Sequence, residues 1–226
     1  MFRERVRIAD PLEAPAGSSQ AREVGGQRSV SAIAIVILAA GASRRMGVPK
    51  QLLHHRGRTL LRHAVETALA STCRPVIVVL GANAEEVQPE IEGLPVKIVQ
   101  NPLWADGLGS SIRAGIEALV SAADPPEAVV LSLCDQPFVC SDDIEALVTA
   151  YRSTKRPIVA SQYAGTLGVP ALFSRPVLPE LLSLAGDAGA KQVIQRNLPS
   201  VWQVPCPNAA FDFDTLQDYD GIRSRE

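Results

Sequence analysis

The most constraining feature of the sequence is a strand-like run that leads directly into a glycine loop. Residues 33–38 read Ile-Ala-Ile-Val-Ile-Leu, an apolar and largely β-branched run that is typical of a strand buried on both faces. The following stretch, Ala39–Lys50, contains Gly41, Gly47 and several other small residues. Because ligands of open α/β sheets bind beyond the carboxyl ends of the strands, this pair predicts an α/β domain with a ligand site at the loop.

Strand-like and helix-like segments alternate along the rest of the chain. We predict strands at 76–80, 96–99, 128–133, 158–161, 169–173 and 201–204, and helices at 59–71, 84–91, 110–121 and 141–151, with others after Pro176, Asp187 and Thr215. Ser141 is the candidate N-cap of the helix at 141–151, whose first turn is acidic. The alternation favours βαβ units around a mostly parallel sheet.

The first thirty residues differ in composition from the rest of the chain of 226. Residues 1–30 mix Arg, Glu, Pro, Gly and Ser without apolar periodicity, so they cannot bury enough surface to offset the entropy of ordering. We predict a disordered leader at 1–30, one folded domain at 31–221 and a short tail at 222–226. Deletion of the leader is expected to leave activity and melting temperature unchanged.

The composition excludes several classes of partner. The formal net charge of −2 gives no global attraction for polyanions, so we expect no nucleic-acid partner. The four cysteines form no Cys-x-x-Cys pair and no zinc-like spacing with the three histidines, which fits a reducing compartment. No apolar run approaches the roughly 20 residues that cross a bilayer. We therefore expect a cytoplasmic protein without a membrane partner.

The glycine loop has the residues that a phosphate site needs. Small side chains let backbone N–H groups approach a phosphate, and Arg45 and Lys50 add positive charge. The Gly-Lys-Ser/Thr ending of a Walker loop and the Gly-x-Gly-x-x-Gly fingerprint are both absent, which disfavours a P-loop ATPase and a dinucleotide-binding oxidoreductase. A plain strand-to-helix turn with two solvated cations is the competing interpretation.

The order of residues in this loop resembles a known signature. Residues 38–50 read Leu-Ala-Ala-Gly-Ala-Ser-Arg-Arg-Met-Gly-Val-Pro-Lys and meet every fixed position of Leu-Ala-Ala-Gly-x-Ser-x-Arg-Met-Gly-x-x-Lys. That pattern is similar to the nucleotidyltransferases related to molybdenum cofactor biosynthesis. Within this group the chain most resembles the molybdenum cofactor cytidylyltransferases, because segments at 101–115, 133–137, 186–191 and 212–219 also look like that family's pattern.

The resemblance implies a fold and a reaction. The implied fold is a single three-layer α/β/α, Rossmann-like domain with a mainly parallel, mixed sheet. The implied reaction transfers CMP from CTP to the terminal phosphate of molybdopterin or its molybdenum-loaded form and releases pyrophosphate. Such a phosphate is largely ionised at neutral pH, so no general base is required. CTP and the molybdenum cofactor are then the expected partners, and a molybdenum hydroxylase is a candidate client.

Two carboxylates are the candidate ligands of Mg²⁺, the implied cofactor. Asp135 follows the strand at 128–133 and so lies at the same edge as the glycine loop, where a hard oxygen ligand suits Mg²⁺. By resemblance Asp214 is the second ligand, with Asp212 in reserve. Arg45 and Lys50 would hold the triphosphate and stabilise the departing pyrophosphate. Alone, Asp135 could equally be a turn residue and Asp214 a helix-start acid.

Further residues are candidates for binding the nucleotide or the acceptor. They are Leu38, Ala39, Ala40, Gly41, Gly109, Ser110, Ser111, Asp187 and Lys191. Plain N-capping is the alternative role of the two serines at a helix start. The family has Arg where this chain has Lys191, and Lys offers a point charge in place of a planar fork.

Base choice and function class remain open at this point. The guanylyltransferase relatives look like Leu-Ala-Gly-Gly, so the methyl group of Ala40 is expected to favour CTP over GTP. One alternative keeps the fold and changes the acceptor, as in a guanylyltransferase or another NTP transferase. A second alternative is a non-catalytic module that handles the molybdenum cofactor for a client hydroxylase.

Overall fold

The computed structural model of the chain describes residues 32–44, 46–213, 217 and 219. Its strands are β1 Ile33–Ala39, β2 His54–His55, β3 Arg58–Thr59, β4 Val76–Leu80, β5 Lys97–Gln100, β6 Ala128–Leu133, β7 Ile158–Tyr163, β8 Thr166–Ser174 and β9 Val201–Pro205. Its α-helices are α1 Leu60–Ala70, α2 Ala84–Val87, α3 Leu108–Val120, α4 Ser141–Thr154, α5 Leu178–Leu182 and α6 Ala190–Arg196. The predicted leader at 1–30 and the tail at 222–226 lie outside the described residues, so those boundaries remain predictions.

Seven strands form one mixed sheet in the order β5-β4-β1-β6-β8-β7-β9. β1 pairs in parallel with β4 and β6, and the pairs β4–β5 and β7–β9 are parallel as well. β8 is antiparallel to both of its neighbours, β6 and β7. The predicted mainly parallel, mixed α/β sheet is confirmed.

Both faces of the sheet carry a hydrophobic core, which explains the continuous apolar run of β1. Every residue of β1 is buried. Ile35 and Ile37 belong to the core cluster that includes residues of α1 and α4. Val36 and Leu38 belong to the cluster on the other face, with residues of α3, α5 and α6. Successive side chains of a strand point to opposite faces, so this alternation yields the predicted three layers.

The structure differs from the sequence-based prediction at a hairpin. His54–His55 pairs with Arg58–Thr59 in a two-stranded sheet that we did not predict. Arg56 and Gly57 form its turn with φ of 50° and 77°. Strands of two residues are too short to show the period-2 alternation on which strand prediction depends.

Two helix starts also differ from the prediction. α3 begins at Leu108, two residues before the predicted start. The N-cap of α4 is Cys140 and not Ser141. The backbone N–H of Cys140 donates to Oδ2 of Asp143 at 2.9 Å, so the acidic first turn closes a capping box one residue earlier than expected.

No helix in the part of the chain that the structure describes combines the length and apolar character that crossing a bilayer requires.

Candidate active site

The carboxyl ends of three neighbouring strands meet at one edge of the sheet. Leu38 at the end of β1 is in register with Leu133 at the end of β6, and Ala39 with Leu80 at the end of β4. The backbone N–H of Cys134 donates to the Leu38 carbonyl at 3.3 Å. The loops that follow β1 and β6 therefore leave the sheet side by side, as the parallel arrangement predicts.

The glycine loop is held in shape by the side chain of Gln51. This glutamine is buried, and its Nε2 donates to the carbonyl of Ala39 at 2.8 Å and to that of Gly41 at 2.9 Å. The backbone N–H of Lys50 donates to Oγ of Ser43 at 2.9 Å, and Ser43 has a φ of 50°. Backbone groups that are fixed before a ligand arrives need no reorganisation to bind it.

Lys50 and Asp135 form an ion pair at the centre of the site. The Lys50 ammonium contacts Oδ2 of Asp135, and the Asp135 side chain is largely buried, with 9% of its surface exposed. Oδ1 of Asp135 is buried and accepts no hydrogen bond from any residue that the structure describes. A buried carboxylate oxygen that lacks a donor is costly, so this atom is suited to an external cation.

The donor set fits a divalent cation that is completed by its substrate. Among the described residues no group of three or more His, Cys, Asp or Glu side chains could hold a metal. Mg²⁺ characteristically takes one or two carboxylates and fills its octahedron with phosphate oxygens and water. The free oxygen of Asp135 meets this requirement. Asp214, the predicted second ligand, lies outside the described residues.

The C-terminal segment returns to the loop that follows β6. The backbone N–H of Phe213 donates to the Asp135 carbonyl at 3.1 Å. Nε2 of Gln136 donates to the Ala209 carbonyl at 3.0 Å and to the Val169 carbonyl at 3.1 Å, and this glutamine is buried. β8 is thereby hydrogen-bonded to Gln136, and the C-terminal segment to both Asp135 and Gln136.

Two adjoining cavities open at this edge of the sheet. The larger, about 390 Å³, is lined by Gly41, Ala42, Ser43, Arg44, Met46, Lys50, Trp104, Ala105, Gly107 and Asp187. The smaller, about 300 Å³, is lined by Leu38, Ala39, Ala40, Gly41, Lys50, Gln51, Trp104, Gly107, Leu108, Ser111, Leu133, Cys134 and Asp135. The larger cavity thus has two cationic side chains, and the smaller has the ion pair with a mostly apolar wall.

Most of the predicted site residues that the structure describes line these cavities. In the smaller one lie Leu38, Ala39, Ala40, Gly41, Lys50, Ser111 and Asp135, and in the larger one lies Asp187. Lys191 is exposed on α6 and lines neither cavity. Arg45 lies outside the described residues.

Ser110 and Gly109 face the fold and line neither cavity. The Ser110 hydroxyl lies 2.7 Å from the Leu103 carbonyl and 2.8 Å from the Gly107 carbonyl, and it accepts a hydrogen bond from Asn101. The backbone N–H of Gly109 donates to the Gly186 carbonyl at 3.0 Å. These contacts favour a packing role for both residues over ligand binding. The N-capping alternative is not seen for Ser110, because the N-cap of α3 is Gly107 and no side chain caps the helix.

The methyl group of Ala40 lies towards Gly81. A Cβ built on Gly81 would stand 2.8 Å from the Ala40 Cβ, 2.6 Å from the Ala40 carbonyl oxygen and 2.7 Å from the Trp104 Cβ. The methyl therefore lies close to Gly81 at the end of β4. Ala40 also lines the smaller cavity, and its effect on base choice stays a prediction.

Sequence reasoning missed four residues that shape the site. Gln51, Trp104, Gly107 and Arg44 line the cavities, and none was predicted. Gly107 has a φ of 98°, which only glycine adopts readily. One local signal was available, since Trp104 is one of two tryptophans and lies in the family-like segment at 101–115.

Cys134 lines the smaller cavity, but its thiol is unreactive. Burial, followed by the negative charge of Asp135, raises the pKa of its thiol to about 12. A thiol that stays protonated at neutral pH is a poor nucleophile and a poor metal ligand. The cysteine contributes to the wall of the cavity and not to its chemistry.

Comparison with a protein-family model places this site in a known group. Residues 35–201 match the model of the MobA-like NTP transferase domain. The match contains the glycine loop, the ion pair and the residues of both cavities. It covers most of the chain, including the main-sheet strands β4 to β8 and most of β1.

Relatives and a solved structure agree with this match. The chain is 32% identical over 203 residues to the nicotine blue oxidoreductase of Paenarthrobacter nicotinovorans, covering 85% of this chain and 97% of that protein. It is 26% identical over 197 residues to the molybdenum cofactor cytidylyltransferase of Escherichia coli, covering 87% and 98%. The structure of Rv0371C from Mycobacterium tuberculosis in complex with manganese superposes with a TM-score of 0.70 at 27% identity, covering 87% of this chain and all of that one.

Proposed function

The chain belongs to the family of MobA-like NTP transferase domains, and from this premise we propose that it transfers CMP from CTP to the terminal phosphate of molybdopterin or its molybdenum-loaded form. The observation that carries the proposal is the Lys50–Asp135 pair beneath the glycine loop. A cation and a buried carboxylate, one oxygen of which has no hydrogen-bond partner among the described residues, lie together where a triphosphate and its metal would bind.

The proposed reaction needs alignment more than proton transfer. A terminal phosphate oxygen of the acceptor attacks the α-phosphorus of CTP, a P–O bond forms, and the bond between the α-phosphorus and the bridging oxygen of pyrophosphate breaks. The attacking phosphate is already ionised near neutral pH, so no side chain has to remove a proton. Lys50, with Arg45 by resemblance, would neutralise the charge that develops on pyrophosphate.

Asp135 and Asp214 would hold the divalent cation, which we propose to be Mg²⁺. When bound, this cation supplies charge neutralisation at the α-phosphate. The manganese complex of Rv0371C agrees with a divalent cation in this family. Asp214 is the residue after Phe213, whose backbone N–H donates to the Asp135 carbonyl, and this adjacency in sequence supports Asp214 as the second proposed ligand.

The choice of CTP and of a molybdopterin acceptor is the finer part of the proposal. It is supported by the identity with the Escherichia coli cytidylyltransferase over nearly the whole chain. The Leu-Ala-Ala-Gly form of the loop is a second support. A guanylyltransferase, another NTP transferase with a different phosphorylated acceptor, and a non-catalytic cofactor-handling module are the alternatives.

An oxidoreductase is a second candidate, favoured by the 32% identity with nicotine blue oxidoreductase. Reduction of a dye requires a bound electron donor. The loop after β1 lacks the Gly-x-Gly-x-x-Gly fingerprint of dinucleotide binding. The ion pair and the cationic cavity suit a triphosphate better.

The test is pyrophosphate release by the purified chain with Mg²⁺, molybdopterin and each of the four NTPs. We expect release with CTP in excess of GTP, and only when the acceptor is present. The Asp135→Asn variant and a reaction without acceptor are the controls. Release mainly with GTP would assign the guanylyl branch. Oxidation of NADH or NADPH with a dye acceptor, without pyrophosphate release from any NTP, would favour the oxidoreductase.

A further inference from the structure

Trp104 is the one aromatic side chain that lines both cavities in the described part of the chain. It opens the 3-10 turn Trp104–Asp106 that follows β5, and its side chain is half-buried. Among the described residues, the two cavities share Gly41, Lys50, Trp104 and Gly107. Of these four residues, Trp104 has by far the largest apolar side chain.

The backbone of Trp104 is fixed from two sides. Gly81 at the end of β4 approaches so closely that a Cβ there would stand 2.7 Å from the Trp104 Cβ. On the other side, the backbone N–H of Gly107 donates to the Trp104 carbonyl at 3.2 Å. The backbone position of Trp104 is therefore fixed beside both cavities. A binding residue whose position is fixed in this way is preorganised for its ligand.

We propose that the indole of Trp104 stacks on the base of the bound nucleotide. Trp104 and the Lys50–Asp135 pair line the same smaller cavity. A nucleotide whose phosphates contact that pair would therefore have its base in the cavity that Trp104 lines. Aromatic side chains stack on the flat faces of bases, and this interaction does not depend on the hydrogen-bonding edge. The inference rests on the proposed function, since it requires that an NTP binds here.

Stacking has a consequence that distinguishes it from base readout. Every base has a π-face, so loss of the indole should weaken the binding of CTP and GTP by similar factors. The expected increase in Kd is about five- to 150-fold for each nucleotide. The kcat at saturating nucleotide should change little, because stacking contributes equally to the ground state and the transition state.

The chain offers a spectroscopic test that does not depend on turnover. Trp202 on the edge strand β9 is 45% exposed and is the other tryptophan, so Trp202→Phe leaves Trp104 as the single emitter. We expect CTP and GTP, each added with Mg²⁺ and without acceptor, to change the emission of this variant saturably. In the matched Trp104→Phe variant, which retains Trp202, the same nucleotides should leave the emission unchanged.

Calorimetry provides the second measurement. Trp202→Phe should bind CTP with the Kd of the parent chain. Trp104→Phe keeps an aromatic ring and should retain much of the affinity, whereas in Trp104→Leu the Kd should rise about five- to 150-fold. If Trp104→Leu does not fold, the emission test and Trp104→Phe still decide the matter.

Three outcomes would overturn the proposal. An unchanged Kd in Trp104→Leu together with unchanged emission would show that Trp104 only packs. A response to pterin-6-carboxylate, used as a probe for the acceptor ring, with none to nucleotides would assign the indole to the acceptor. Absence of binding heat for every NTP in the parent chain would overturn the proposed function and this inference with it. The first two outcomes, if NTPs still give binding heat, would overturn the inference alone.

Discussion

The backbone N–H of Phe213 donates a hydrogen bond of 3.1 Å to the carbonyl oxygen of Asp135. This bond joins the C-terminal segment to the loop that follows β6. Residue 214, the second proposed metal ligand, is the next residue in sequence.

The Asp135→Asn variant should fold normally and lose turnover. The amide keeps the size of the side chain and removes the charge that would hold Mg²⁺. We expect kcat to fall by more than about tenfold at saturating Mg²⁺, which corresponds to roughly 1.4 kcal/mol of transition-state stabilisation. Steady-state pyrophosphate release measures this.

Asp142→Asn is the matched control, since Asp142 is an exposed acid in the first turn of α4 that lines neither cavity. It should retain the parental kcat. Activity of Asp135→Asn within about tenfold of the parent would remove Asp135 from the metal site.

Replacement of Lys50 by Met should separate metal binding from catalysis. The ammonium of Lys50 contacts the carboxylate that would bind the metal, so its removal should strengthen the binding of Mn²⁺ in the absence of nucleotide. Turnover should still fall, on the order of 100-fold, because the variant loses a charge that stabilises the transition state. Lys50→Arg, which keeps the charge, is the control. Weaker Mn²⁺ binding by calorimetry in Lys50→Met would contradict this interpretation of the ion pair.

Gly107→Ala should destabilise the domain more than Gly165→Ala. Both glycines have positive φ, 98° and 73°, so both substitutions introduce backbone strain on the order of 1–3 kcal/mol. At Gly165 the new Cβ meets nothing within 4 Å, whereas at Gly107 it would stand 2.4 Å from the Gly186 carbonyl oxygen. We expect an additional loss of roughly 1–3 kcal/mol at Gly107. Urea denaturation measures the loss of unfolding free energy in both variants. Equal losses would show that the loop at Gly186 moves away from the new Cβ without cost.

His63 should make stability depend on pH. Burial is the largest cause that lowers its pKa below 6.5, and a hydrogen bond with the Pro137 backbone opposes the shift. The folded state therefore binds fewer protons than the unfolded state, so stability is highest above pH 6.5 and falls as the pH drops below it towards the folded-state pKa. His63→Gln should show a smaller loss of Tm between about pH 7.5 and 5.5. The exposed residue His54 provides the control substitution, and an identical loss of Tm in His63→Gln and the parent would rule out this role.

The elements of the sheet could be predicted because their signals are local. A strand covered on both faces, such as β1, must be apolar at every position, and β4 and β6 begin and end where the sequence predicts. The His54–Thr59 hairpin could not be found in this way, since two-residue strands show no periodicity. The fold class and the family were therefore predictable, and both are confirmed.

The sequence by itself also determined that the glycine loop and Asp135 lie at one edge of the sheet, because they follow strands whose carboxyl ends must meet in a parallel sheet. Only the tertiary structure decided which side chains line the cavities and which pack against the fold. The Ser110 hydroxyl donates to the Leu103 carbonyl and lines neither cavity. Gln51 donates to the carbonyl of Ala39 at the start of the glycine loop, and Trp104 lines both cavities. The physical reason is that each of these roles depends on a partner distant in sequence, and packing between segments, not local pattern, sets that distance.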